Sequence, residues 1–118
     1  MLYTNLNHIE TADYQTKMIE ENENMVVICG RMEPASVAVY RFAEELEKKY
    51  PHVKFYDMEF DNPESSDLKN TLEYYNIADI PLVAFFKSGN LVNVSLGNQT
   101  KQQLISLLDR SFSITAKA

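Results

Sequence analysis

Met25-Val26-Val27-Ile28-Cys29-Gly30-Arg31-Met32-Glu33-Pro34-Ala35-Ser36 decides how this chain is organised. Its opening apolar run is too short for a helix and rich in β-branched side chains, and it reads as a fully buried strand. Gly30 cuts the run. A helical pattern opens at Pro34, which suits a first helical position because its missing N–H costs nothing there. A strand that empties through a short loop into a helix start is a place where α/β proteins keep reactive groups. Free amide donors and the positive end of the helix dipole both face such a loop.

On the C-terminal side of this stretch, Ala35, Val39, Phe42 and Leu46 recur at helical spacing. Arg41, Glu44, Glu45, Lys48 and Lys49 form the solvated face, so a helix is predicted over 34–50, stopped by Pro51. His52–Phe60 reads as a strand with both faces partly buried, as when helices cover a sheet on two sides. Asp61-Asn62-Pro63 is a turn, and Leu68, Leu72 and Tyr75 mark a shorter helix. Asn76–Pro81 leads into the apolar strand Leu82–Phe86. Lys87-Ser88-Gly89-Asn90 is a hairpin turn and Leu91–Leu96 the returning strand, ended by Gly97. Thr100 with Gln103 is a capping-box signature for a last helix buried through Leu104, Leu107, Leu108 and Phe112. On the N-terminal side, Leu2-Tyr3-Thr4 is a weak edge strand. Thr11, as N-cap, opens a helix with Tyr14, Met18 and Ile19 on its apolar stripe.

The order β-α-β-α-β-α-β-β-α predicts an α/β fold: a three-layer sandwich around about five strands, parallel in its first half and closed by a hairpin. A single domain is expected over 1–112, with a frayed tail at 113–118. A chain of 118 residues can bury one core without metal or disulfide help. The net charge of −6 and the lack of a basic cluster argue against nucleic acid and anionic membranes as partners. No stretch has the length of a membrane span, and Met1–Ile9 lacks the basic start and apolar middle of a signal peptide, so the cytoplasm is the expected compartment. The single cysteine excludes an internal disulfide and a multi-cysteine metal cage. No metal and no cofactor are expected.

With the elements placed, the chain resembles the thioredoxin family over nearly its whole length. The resemblance is carried by Met25–Ile28, by Ala43-Glu44-Glu45-Leu46 through Tyr50, and by Val53-Lys54-Phe55 with Phe60-Asp61-Asn62-Pro63. Its most specific part is Tyr75-Asn76-Ile77 followed by Ile80-Pro81-Leu82-Val83-Ala84-Phe85-Phe86-Lys87-Ser88-Gly89, with Gly97 ending the last strand. It implies a thioredoxin-like three-layer α/β/α sandwich with a cis-proline, Pro81, before the fourth strand.

The departures from that family fall where its chemistry lies. Counting back from Tyr50 without gaps, the Cys-x-x-Cys motif lands on Glu33-Pro34-Ala35-Ser36. Met32 replaces the preceding tryptophan, Val27 the buried acid of the central strand, and Asp57 the lysine that usually faces it. Dithiol–disulfide exchange needs an attacking thiolate and a resolving thiol; a carboxylate and a hydroxyl supply neither. In an alternative register Cys29-Gly30 begins the motif, which moves Val26–Ile28 out of the strand and still leaves only a monothiol.

Two functions follow as expectations. The first is a redox-inactive protein- or peptide-binding, chaperone-like module. The resemblance implies that Met32, Ile80, Pro81, Gly97 and Asn98 line its groove for an extended polypeptide client. The second is a monothiol oxidoreductase or glutathione-linked redox protein using Cys29, whose thiol would need a lowered pKa and exposure; the alternative is a buried small hydrophobe. Glu33 and Ser36 either contact a partner or serve the helix start. Asp57, in phase with Val53 and Phe55, points partly inward and is expected to reach water or a backbone donor. His8 and His52 have no ligand spacing between them and are expected to be solvated.

Overall fold

The computed structural model describes residues 4–10, 13–14, 16–17, 23–61, 65–71 and 80–112. Among these, five strands form one mixed sheet: β1 (Asn7–His8), β2 (Met25–Gly30), β3 (Lys54–Glu59), β4 (Leu82–Lys87) and β5 (Asn90–Leu96). Their spatial order is β1-β3-β2-β4-β5. β1 and β2 run parallel to β3, and β4 runs antiparallel to both β2 and β5. Among the described residues, the helices α1 (Pro34–Glu47), α2 (Ser66–Thr71) and α3 (Lys101–Phe112) accompany the sheet.

β2 is the centre. All six of its residues are buried, as an apolar run flanked by two strands and covered on both faces must be. Alternation along the strands splits the interior in two. Val26, Ile28, Phe55, Val83 and Phe85 pack with Val39, Leu46, Leu104 and Leu108, so α1 and α3 cover that face. Met25, Val27, Cys29, Met58, Ala84 and Phe86 pack with Tyr14 and Leu68 on the other. The Tyr14 and Phe86 rings meet edge to face, 5.7 Å between centroids. The architecture is the α/β/α sandwich around a five-stranded mixed sheet expected from the element order.

The differences from the sequence reading have local causes. α1 ends at Glu47 rather than Tyr50: the Lys49 and Tyr50 N–H groups both turn back to the Leu46 carbonyl, at 2.9 and 3.2 Å, and Pro51 disfavours the helical conformation for Tyr50 before it. The Val53 N–H is then spent on the Tyr50 carbonyl at 3.0 Å, so β3 starts only at Lys54. The edge strand is β1 at Asn7–His8; Thr4 is not part of it. The expected strand residues 2 and 3, the cap Thr11, Met18, Ile19, Asn62, Pro63, Leu72, Tyr75, positions 76–79 and the tail 113–118 lie outside the described residues.

The hairpin turns through Ser88 at φ 51° and Gly89 at φ 83°. Two successive left-handed residues make the turn whose twist matches the flanking strands. Gly97 also has positive φ, 78°, and ends β5. The capping box is formed reciprocally: the Gln103 N–H donates to Thr100 Oγ1 at 3.1 Å and the Thr100 N–H to Gln103 Oε1 at 2.7 Å. Among the described residues, no helix is long and apolar enough to cross a membrane.

Candidate functional site

Three segments meet at one end of the sheet. The antiparallel register sets Cys29 beside Leu82 and Leu82 beside Leu96. The exit of β2, the entry to β4 and the exit of β5 are therefore neighbours, and the loop 31–33, Ile80-Pro81 and Gly97-Asn98 crown the same edge. The Gly97 N–H donates to the Pro81 carbonyl at 3.0 Å, which ties two of these segments together. The Ile80–Pro81 peptide bond is cis.

At the start of α1 the residues are arranged for capping. Glu33 is the N-cap residue, extended at φ −124° and ψ 163°, and Pro34 follows at the first helical position. The Glu33 carboxylate accepts from the Ser36 N–H at 2.7 Å, from the Ala35 N–H at 3.0 Å and from the Ser36 hydroxyl. Amide donors that a helix start leaves without partners are thus satisfied by an anion at the positive end of the dipole. Burial works to raise the Glu33 carboxyl, but the Ser36 hydroxyl, the Ser36 and Ala35 amides and the Arg31 charge outweigh it. The net direction is down from the ordinary carboxylate value. Ser36 itself is fully buried. Its hydroxyl serves the cap.

Gly30 is where β2 leaves room for this arrangement. A β-carbon there would stand 2.5 Å from Ser36 Oγ and 2.9 Å from the Tyr40 hydroxyl oxygen. The Tyr40 hydroxyl donates to the Arg31 carbonyl at 3.3 Å. Burial, then the nearby Asp57 carboxylate, drives the Tyr40 phenol above its ordinary value, so it stays a neutral donor.

Cys29 lies inside the sheet. It is 0% exposed, and its thiol faces the Glu59 carbonyl at 3.8 Å. It belongs to the interior cluster under Tyr14 and Leu68 and is not in a disulfide. The motif positions Glu33 and Ser36 head the helix, and Cys29 stays in the strand.

The other predicted groove residues divide by depth. Met32 is 39% exposed, one of two large hydrophobics with that degree of exposure among the described residues. Asn98 is exposed, Ile80 half-buried, and Pro81 and Gly97 are buried. Beside Met32, the Arg31 guanidinium clasps Asp61 through Nη2–Oδ1 at 2.6 Å and Nε–Oδ2 at 3.1 Å. Arg31 also lies over the Phe60 ring at 5.3 Å, and Lys69 lies over it at 4.0 Å. These contacts fasten the loop to the end of β3. They are absent from the sequence reading because the partners stand 30 residues apart with no local pattern linking them.

A second departure concerns Asp57 and His8. Asp57 is buried, and its carboxylate accepts from the Thr4 hydroxyl at 2.5 Å while its other oxygen sits 2.6 Å from His8 Nδ1. His8 is exposed, as expected, and is in addition held by an acid, while the acid expected to find water or a backbone donor finds two side chains. The register of β2 on β3 sets Asp57 beside Ile28 and Val27 beside Tyr56. Positions 27 and 57 point to opposite faces, so the acid–lysine pair of the resembling family has no counterpart here.

No protein-family model matches the sequence, and no curated protein does. Solved structures do. Oxidised thioredoxin O2 from Arabidopsis thaliana superposes with a TM-score of 0.70 at 20% identity, over 86% of this chain and 85% of that one. Oxidised thioredoxin from Plasmodium falciparum gives 0.71 at 21% identity, over 89% and 96%. A chain from the structure describing the thiol resolving mechanism in yeast mitochondrial 1-Cys peroxiredoxin via glutathione/thioredoxin systems gives 0.72 at 20% identity, over 93% and 99%. At such identities the likeness speaks for the fold. This chain is a thioredoxin-fold protein with a single cysteine.

Proposed function

We propose that this chain is a binding module that holds an extended polypeptide across the sheet end formed by Met32, Ile80-Pro81 and Gly97-Asn98, and that it does not carry out dithiol–disulfide exchange. The observation that carries this reading is the exposure of Met32 at 39% on the loop beside the entry to β4, while the lone thiol is 0% exposed. A flexible, polarizable apolar side chain is suited to contact varied partner residues. Peptide main chain laid along an exposed strand end gains hydrogen bonds that do not depend on its sequence. Electrostatics at the helix start supports the same reading. The anion that the dipole favours is already supplied by Glu33, whose carboxylate is occupied by three donors from Ala35 and Ser36. The second reading, a monothiol oxidoreductase, needs Cys29 to reach a substrate, and a thiol in the middle layer of the sheet does so only if the strand end opens.

The test pairs two measurements. With dithiothreitol as reductant, insulin disulfide reduction should proceed no faster with the protein than with a Cys29→Ser control. Titration of the isotopically labelled protein with carboxamidomethylated insulin B chain should move the backbone resonances of Met32, Ile80 and Gly97. Met32→Ser, an exposed change, should weaken that binding by about tenfold, the cost of losing a partly buried apolar contact. Cys29-dependent turnover, or resonances that stay in place, would overturn the proposal.

A further inference from the structure

Beyond Gly97 the chain turns into α3, and between the end of β5 and that helix runs a groove of about 390 Å³. Ser95, Asn98, Gln99, Gln103, Ser106 and Arg110 line it, with apolar contacts from its leucines. Two features set this groove apart from ordinary polar surface. Gln99 is only 8% exposed, and its Nε2 donates to the Gly97 carbonyl at 3.1 Å. That bond fixes the orientation of the amide, because a carbonyl requires a donor. Oε1 is left buried without a hydrogen-bond partner among the described residues. A buried acceptor in that state costs free energy until a donor reaches it. At the other end, Arg110 has no ion-pair partner among the described residues. Among the described residues it is also the only charged one lining the groove, in a chain whose net charge is −6.

The spacing fits one kind of ligand. Gln103 and Arg110 are seven residues apart on one helix, about 10.5 Å along its axis, which is the length of roughly three residues of extended chain. Gln103 gives its Oε1 to the Thr100 cap and keeps its NH2 group as a donor. β5 is paired only with β4, so among the described residues no strand covers its outer side. The groove therefore offers amide and hydroxyl groups for main chain and a cation two helical turns from Gln103, with an unpartnered acceptor buried at the Gln99 side chain.

We propose that this groove binds a short extended peptide bearing a carboxylate, whose main-chain N–H satisfies Gln99 Oε1 while Arg110 holds the carboxylate. The proposal extends the peptide-binding reading above and rests on it for the kind of ligand; the two surfaces share Asn98.

Three probes test it by resonance titration of the full chain: acetyl-tetra-alanine with a free C-terminal carboxylate, the same peptide as its amide, and acetyl-Ala-Ala-Glu-Ala-amide. A carboxylate peptide should bind about tenfold more tightly than the amide, the gain of one charge-assisted hydrogen bond. It should shift the Gln99 side-chain amide and the Arg110 Nε–H. Whichever carboxylate peptide does so identifies the source as a chain terminus or an acidic side chain. Arg110→Gln, a change at an exposed position, should erase the preference. Equal binding of all three peptides, or a preference that survives Arg110→Gln, overturns the proposal. Shifts confined to Met32, Ile80 and Gly97 overturn it while leaving the cis-proline reading standing. Shifts confined to Gln99 and Arg110 uphold the groove and remove that reading.

Discussion

Gly30 and Ser36 approach so closely that a β-carbon on the first would stand 2.5 Å from the hydroxyl oxygen of the second. Strand exit and helix start are fitted to each other there, with the Tyr40 hydroxyl closing the third side. Gly30→Ala is expected to cost about 1–3 kcal/mol, the usual penalty for forcing an extra carbon into packed surroundings. Urea denaturation measures it. A change within about 0.5 kcal/mol, the range of ordinary surface substitutions, would mean that the contact relaxes freely.

Glu33 adds a pH-dependent contribution. Its carboxyl titrates below its unfolded value in the native state. The stabilisation it gives is therefore complete above the unfolded pKa and is lost as pH falls through the folded one. Glu33→Ala should cost about 1 kcal/mol near neutrality, the worth of an N-cap. The gap between wild type and variant should close in acid, below about pH 4. Stability curves of both proteins from neutral to acid pH check this; a gap that persists unchanged into acid would remove the charge from the account of the cap.

Asp57 and His8 supply a further test. Removing one donor from a buried carboxylate leaves an acceptor short of a partner, so His8→Ala is expected to destabilise by about 1–3 kcal/mol. In an Asp57→Asn background the same change should cost less, because the two residues share one interaction. A double-mutant cycle in urea reads the coupling. Strictly additive effects would show that the 2.6 Å contact contributes nothing to stability.

What the sequence made legible was whatever is encoded within a few residues. The β-branched run at Val26-Val27-Ile28, the proline at position 34, the Ser88-Gly89 turn and the Thr100–Gln103 box each carry their own local instruction, and each sits where that instruction places it. The acid at Glu33 was legible too, since the helix start and the residue preceding it are adjacent. Long-range pairings were not. β1 is two residues long with both exposed, so neither periodicity nor hydrophobicity marks it, and only its pairing with β3 makes it a strand. The contacts of His8 with Asp57, and of Arg31 with Asp61 and Phe60, depend on that tertiary placement. Gln99 is buried because the chain doubles back at Gly97, which composition alone gives no reason to expect.

The lone sulfur lies inside the sheet, 0% exposed. The measurement that reaches it most directly is the modification rate of Cys29 by 5,5′-dithiobis(2-nitrobenzoate) at neutral pH, in the native protein and across a urea series. A thiol sealed in β2 should stay unmodified under conditions in which the unfolded chain reacts completely, with its reactivity rising along the unfolding transition. Prompt stoichiometric labelling of the native protein would place the thiol at the surface and contradict the account.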